Sequence, residues 1–314
     1  SDCHLVTRST TYPRDTFTMA EIEHLPMGLS IIRDAIEIPD WLHGEILDRS
    51  QREFEVQYQV SDDGTVYQRD NDNPNSNSFR SLEHQSTVPT RFQPHDERVD
   101  MSDRWWTFWG EACDAQYQGL LTYCEKYTML LSQIWWSNRG HVLCYGKGGF
   151  LGGHHDNDIG YSYKTRNDVM GFAEAATRNV VSTTLHLCDT DGGNLVFPYV
   201  DEEIETKAGD LLIFPANYIG AHWVTTVQSG HRMSYLTWYG QGSSLGLNAG
   251  TDKPHVIHNE ERLDGNQFVW CESPVEDFME HSGWSHEQMK AAFPSFDSRG
   301  TPEFWQGPTD DNPY

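Results

Sequence analysis

Basic residues are scarce in this chain, paired-cysteine motifs are missing, and no long apolar run occurs. Its 314 residues include 22 Lys and Arg against 47 Asp and Glu, a formal net charge of −25. A surface of that sign repels phosphate backbones and anionic lipid, so neither nucleic-acid nor membrane binding is expected as the main role. The acid excess leaves two readings: solubility, including in a salty medium, or attraction of a cationic peptide. Six cysteines (Cys3, Cys113, Cys124, Cys144, Cys188 and Cys271) are scattered without a C-x-x-C pair. That spacing excludes a zinc ribbon and a dense disulfide scaffold, and free thiols in a reducing compartment are expected. No stretch approaches the ~20 apolar residues of a membrane helix. No signal peptide opens the chain; a soluble intracellular protein is expected, with a signal removed by processing as the alternative. Nothing in the sequence sets the oligomeric state.

Core-forming residues are plentiful. Hydrophobic residues make up 37% and aromatics 12%, with eleven tryptophans, enough for a large globular domain. Residues 1–30 are polar and read as an irregular segment. "GLSIIRDAIEIPDWLHGEILDRSQREF" then reads as a strand followed by a helix through Trp41, Ile46 and Leu47. Residues 61–97, rich in Asp, Asn, Ser and Pro, are expected to form a long polar loop. "SDRWWTFWGEACDAQYQGLLTYCEKY" has helical periodicity, with Ser102 or Asp103 as N-cap. Its Trp105, Trp106 and Trp109 are expected to buttress the fold rather than to form a lid. From about residue 133 the pattern changes to short β runs punctuated by Gly, Asn and Asp, the signature of a sandwich or barrel. A main domain over 31–245, with its β core at about 133–240, and an extension over 246–314 are the expected organisation. The extension carries one short helix near "SHEQMKAAF".

Within the β region, "YGKGGFLGGHHDND" (145–158) concentrates five glycines, two histidines and two aspartates. His154 and Asp156 stand two apart, a spacing that places both on one face of an extended strand. His222, in "AHWVTTVQSGHRMS", offers a third ligand. Two imidazoles and one carboxylate with vacant positions is the donor set of non-heme Fe(II) oxygenases. Gly148, Gly149, Gly152 and Gly153 are expected to let the backbone bend where it aims the ligands. By itself H-x-D is a weak signal in a chain with fifteen histidines. His155 reads as surface or a neighbour of the ligands, His186 as either pocket lining or a barrel-core residue, and His231 as exposed. Pairing His155 with Asp158 instead would break the strand geometry.

The ordered series "YGxGGxxxxHxD", "GGNLVFP", "KAGDLLIFP" and "HxxxxVxxGxRxS" resembles the iron(II)- and 2-oxoglutarate-dependent dioxygenases, and among them most the prolyl 4-hydroxylase branch. The resemblance covers roughly residues 140–240. It implies a mainly β fold with flanking helices, a double-stranded β-helix (jelly-roll or cupin-like) core supported by N-terminal helices. It also implies Fe(II) bound by His154, Asp156 and His222, with 2-oxoglutarate and O2 as cosubstrates and ascorbate in support. Arg232, ten residues after His222, would pair with the distal carboxylate of 2-oxoglutarate, and Ser234 would add a hydroxyl donor. Collagen-type prolyl hydroxylases carry lysine at that position, so Arg232-x-Ser234 also resembles the pair of small-molecule oxygenases. Tyr145 either hydrogen-bonds the cosubstrate or is a core aromatic. Halogenases of this superfamily lack the carboxylate that Asp156 supplies, so hydroxylation is implied. The expected reaction is hydroxylation of an unactivated C–H bond of a prolyl residue, releasing succinate and CO2. The same chemistry on a free amino acid or other small metabolite is the alternative, and a non-catalytic cupin-like binding module is a second.

Overall fold

The computed structural model describes residues 21–60, 66–68, 81–82, 90–95, 100–134, 136–138, 140–157, 178–241, 268–270 and 274–292. Strands β1 (Ile22–His24) and β2 (Ser30–Ile32) precede helix α1 (Asp40–Gln57). The short strands β3 (Tyr58–Val60), β4 (Val66–Gln68), β5 (Ser81–Leu82) and β6 (Thr90–Phe92) lead to helix α2 (Asp103–Lys126). Next come β7 (Trp136–Asn138), β8 (His141–Tyr145), β9 (Leu151–His154) and β10 (Arg178–His186). The chain continues with β11 (Asp191–Gly192), β12 (Leu195–Phe197), β13 (Glu202–Ile204) and β14 (Leu211–Pro215). After β15 (His222–Val224), β16 (Val227–Ser229), β17 (Arg232–Gln241) and β18 (Phe268–Trp270) follow helices α3 (Pro274–Ser282) and α4 (His286–Ala292).

Two antiparallel sheets make the double-stranded β-helix. The larger runs β1-β2-β14-β10-β17, where β7 and β8 share the far edge of β17; β18 extends β7, and β6 extends β8. The smaller sheet runs β13-β12-β15-β9. Alternation along each strand of the larger sheet sorts the side chains. Val181, Leu185, Met233, Tyr235, Val142, Cys144 and Phe92 join the core beneath the helices. Their neighbours in sequence, including His141, Tyr145, Thr184, Arg232 and Ser234, line a cavity between the sheets. A second core of Leu29, Ile31, Leu195, Phe197, Ile204, Leu212, Phe214 and Val224 packs beside that cavity. Its members come from both sheets, and it joins them.

Helix α2 packs its aromatic face on the outer side of the larger sheet. Trp105 and Trp109 are buried, and the Trp109 ring meets Tyr235 at 4.9 Å, Phe108 at 5.0 Å and Trp105 at 5.3 Å between centroids. The tryptophans are a buttress. Buried Gln116 adds a polar tether: Thr183 Oγ1 donates to its Oε1, and its Nε2 donates to Tyr235 O at 3.4 Å. Trp109→Ala is expected to cost about 3–5 kcal/mol of stability, the usual loss for emptying a core aromatic site. Urea unfolding checks this, and a loss below about 1 kcal/mol contradicts the packing.

Several local expectations change. Ile22–His24 is an edge strand paired with Ser30–Ile32, not part of an irregular segment. Within 61–97, β4 pairs with β3 and β5, and β6 joins the larger sheet through β8. The extension holds two described helices rather than one. Phe278 of α3 and Met289 of α4 are buried, and Tyr117 Oη of α2 donates to Asp277 Oδ2 at 2.6 Å. Cys113, Cys124, Cys144 and Cys188 are free thiols; Cys3 and Cys271 lie outside the described residues, as does Asp158.

Candidate metal centre

The strand pairing brings the expected ligands together. Strands β9 and β15 run antiparallel with His154 and His222 as direct partners, so both imidazoles leave the same face of the smaller sheet. Their ring centroids are 4.5 Å apart. Strand β9 ends at His154, however, and Asp156 lies in the turn that follows. Convergence therefore comes from a turn, not from strand alternation. The larger sheet holds that turn: Asn157 N donates to Ala216 O at 2.8 Å, and Asn179 Nδ2 donates to Asp156 O at 2.7 Å. One ligand atom from each of His154, Asp156 and His222 lies within 4.8 Å of the others.

Hydrogen bonds set the tautomers. His154 Nδ1 faces Gly152 O at 2.9 Å, and His222 Nδ1 faces Gly220 O at 3.0 Å. A carbonyl only accepts, so each Nδ1 carries the proton and each Nε2 presents a lone pair to the centre. Gly220 has no alternative residue, since a Cβ there would sit 1.8 Å from Pro215 O. Sequence reasoning missed this glycine. Of the glycines before the ligands, Gly148 adopts a positive φ of 85°, whereas Gly152 and Gly153 have open space for a Cβ. The backbone bend expected at the latter pair is not what holds the ligands.

Electrostatics prepare the same three groups. Burial alone would raise the Asp156 carboxyl, but His154, His222, Ser182 and Trp238 outweigh it and hold the group well below the usual carboxylate range. Burial pushes His222 below its ordinary value despite the opposing pull of Asp156. An ionised carboxylate thus faces a neutral imidazole. Asp156 Oδ2 is buried with no hydrogen-bond partner, and Asp156 Oδ1 lies 3.5 Å from His154 Nε2. Two imidazole nitrogens and an unsatisfied carboxylate converging on one point fit a divalent cation of borderline hardness such as Fe(II).

At another part of the same cavity, of 320 Å³, lies a second charged group. Arg232 is buried; its Nε donates to Gly193 O at 2.8 Å and its Nη1 to Ser234 Oγ at 3.0 Å. Its guanidinium carbon sits 5.5 Å from the centroid of the Tyr145 ring. Gly193 has φ 69°, and a Cβ there would approach Arg232 Cδ to 2.8 Å, so glycine keeps room for this side chain. Tyr145 is buried and its hydroxyl has no hydrogen-bond partner. Both readings of Tyr145 are thus compatible with its place, a core aromatic whose hydroxyl opens on the cavity.

The remaining histidines divide. His155 lines the cavity and is outside the converging trio. His231 is half-buried beside His43, at 5.7 Å between ring centroids, rather than exposed. His186 is buried in the sheet with Nδ1 2.8 Å from Thr206 Oγ1. Burial, helped by nearby arginines, holds both His141 and His186 far below the ordinary imidazole value. These two stay neutral in the folded chain where an unfolded chain, with histidines near pKa ~6.5, takes up protons. Their contribution to stability is complete above about pH 6.5 and is lost as pH falls below it. Thermal unfolding of the metal-free protein is expected at a lower temperature at about pH 5.5 than at about pH 7.5. An unchanged midpoint contradicts the burial of these rings.

Fold and site together define a jelly-roll with a candidate metal centre in its cavity. Residues 140–240 match the 2OG-Fe(II) oxygenase superfamily, whose members use Fe(II), 2-oxoglutarate and O2. No curated protein matches the chain. Among solved structures, the viral collagen prolyl hydroxylase of Paramecium Bursaria Chlorella virus-1, in complex with 2OG, shares 13% identity at TM-score 0.41, over 68% of this chain and 96% of that one. A Pseudomonas putida prolyl-4-hydroxylase shares 15% at TM-score 0.37, over 69% and 95%. A Trichoplax adhaerens prolyl hydroxylase, solved with a hypoxia inducible factor peptide fragment, shares 15% at TM-score 0.42, over 69% and 84%. None of these likenesses carries an inference about substrate. Among the described residues no helix is long and apolar enough to cross a membrane.

Proposed function

We propose that the chain hydroxylates an unactivated C–H bond of a prolyl residue in a peptide or protein, with release of succinate and CO2. The observation that carries the chemistry is the pairing, in one cavity, of the His154, Asp156 and His222 trio with the buried Arg232 and Ser234 pair. The prolyl substrate rests on the motif series from Tyr145 to Ser234. The same chemistry on a free amino acid or small metabolite is the second reading, favoured by arginine and serine at 232 and 234.

His154 Nε2, His222 Nε2 and an Asp156 oxygen would hold Fe(II). Bound there, the ferrous ion supplies, with 2-oxoglutarate and O2, the oxidising power that C–H hydroxylation needs. The rest falls to this chain. Arg232 would receive the distal carboxylate of 2-oxoglutarate through its planar fork, and its bond to Gly193 O keeps that fork in place before binding. Ser234 and Tyr145 offer hydroxyl donors on the same wall. Leu151, Leu195, Val224 and Leu236 line the cavity and exclude water around the reacting carbon.

Incubation with Fe(II), ascorbate, 2-oxoglutarate and a panel of proline-containing peptides and free amino acids tests the proposal. Succinate and a product one oxygen atom heavier are expected from a proline-containing peptide. Turnover confined to free amino acids transfers the activity to the second reading. Absence of both turnover and metal uptake contradicts the site.

A further inference from the structure

A carboxylate can hold a cation through one oxygen or through both. Holding it through both fills one of the open positions on which a site of two histidines and one carboxylate depends. The surroundings of the second oxygen of Asp156 therefore decide how many positions remain. Oδ1 lies on the ligand side, 3.5 Å from His154 Nε2, and Oδ2 is buried.

Two donors on the larger sheet face this carboxylate. Ser182 of β10 and Trp238 of β17 are direct partners, and direct partners share a face. Thr184 and Leu236 are the next pair on that face, and both line the cavity together with Trp238 and Asp156. Thr183, between Ser182 and Thr184, turns the other way and donates to Gln116 of α2. The turn that carries Asp156 is fastened to the same strand. Asn179 Nδ2 of β10 donates to Asp156 O at 2.7 Å. Asn157 N donates to Ala216 O at 2.8 Å, and Ala216 N in turn donates to Val180 O of β10 at 2.9 Å. The Trp238 ring is itself packed on His141, at 4.9 Å between centroids.

The chemistry of the pair suits an anion. A serine hydroxyl can donate and an indole N–H only donates, and both pull on the Asp156 carboxylate as hydrogen-bond donors. Ser182 is buried, and its Oγ and Asp156 Oδ2 each lack a partner within ordinary bonding distance. Leaving two such atoms unsatisfied is costly, and a swing of the carboxylate toward β10 satisfies both.

We propose that Ser182 and Trp238 are positioning residues of the metal centre: their hydroxyl and indole N–H hold Asp156 Oδ2 against the larger sheet, so that the carboxylate offers a metal Oδ1 alone and leaves the neighbouring position to the cosubstrate. This rests on the reading of His154, Asp156 and His222 as metal ligands.

Co(II), which binds nitrogen and oxygen sites more tightly than Fe(II), probes the geometry without turnover. In crystals of the wild type grown with Co(II), cobalt is expected on Oδ1 alone, with Ser182 Oγ and Trp238 Nε1 both donating to Oδ2. Ser182→Ala removes only the hydroxyl, and Trp238→Phe removes the indole N–H while keeping an aromatic ring. In the double variant cobalt is expected to take both oxygens. In solution that variant should keep its Co(II) affinity, while its cobalt-loaded form binds 2-oxoglutarate at least about tenfold more weakly. A merely structural role would lower stability without this split. Ser182→Ala alone should give an intermediate weakening, and it serves if the double variant does not fold. Cobalt on both oxygens in the wild type, on Oδ1 alone in the double variant, or an unchanged 2-oxoglutarate affinity in the variants overturns the proposal. Cobalt absent from His154, Asp156 and His222 in the wild type overturns the reading of the metal site instead.

Discussion

Asp156→Ala and His154→Ala are each expected to abolish 2-oxoglutarate turnover and to lower Fe(II) affinity by more than about 100-fold. Outer partners of metal ligands already account for roughly 10–100-fold in affinity, and a direct ligand contributes more. The loss at Asp156 has two sources. Its carboxylate is the one anionic member of the trio, and an anionic ligand attracts a divalent cation more strongly than a neutral imidazole does. Without it, two neutral imidazoles at 4.5 Å retain the metal weakly. The fold itself should survive. Burial of Asp156 opposes its charge, but the surrounding imidazoles and polar side chains outweigh burial, so losing the carboxylate costs some stability without emptying a core aromatic or aliphatic site. Fe(II) binding by dialysis under argon, together with thermal unfolding of each variant, separates the two effects. Full activity in either variant refutes the ligand assignment.

Arg232→Ala is expected to raise the 2-oxoglutarate requirement by roughly two orders of magnitude, the equivalent of about 3 kcal/mol for truncating one side of a buried charge pair. Fe(II) affinity measured without cosubstrate should change little. The split arises because Arg232 touches Gly193, Ser234 and Tyr145 and none of the three proposed ligands. Arg232→Lys should recover only part of the loss, because a lysine cannot donate two parallel bonds or reach Gly193 O and a carboxylate together. An unchanged 2-oxoglutarate requirement places the carboxylate clamp elsewhere.

The candidate trio was legible in the sequence because metal binding favours particular residue types at strand-scale spacing. His154, Asp156 and His222 stand in recognisable surroundings, and the antiparallel pairing of β9 with β15 brings the two imidazoles face to face. The reason given for Asp156 was incomplete, since a turn pinned by Asn157 and Asn179 performs what strand alternation was expected to do. Arg91 of β6, which lines the cavity, escaped notice for a different reason. Its strand is three residues long, lies in a stretch dominated by Asp, Asn and Ser, and gains its orientation only from long-range pairing with β8. Thr-Arg-Phe at 90–92 does carry the alternation of a half-buried strand, but three residues are too few to stand out. Gly220 was invisible for a similar reason: its requirement comes from Pro215 O, a contact made by the fold. Helix α3 was missed because much of its length is polar, and the apolar Phe278 alone anchors it among fully buried side chains.

Iron-edge anomalous diffraction from crystals grown with Fe(II) under argon tests the central claim most directly. One iron per chain is expected, bonded to Nε2 of His154, Nε2 of His222 and an oxygen of Asp156, with both Nδ1 atoms still donating to Gly152 and Gly220. Iron at another position, or bound through Nδ1 of either histidine, would contradict it.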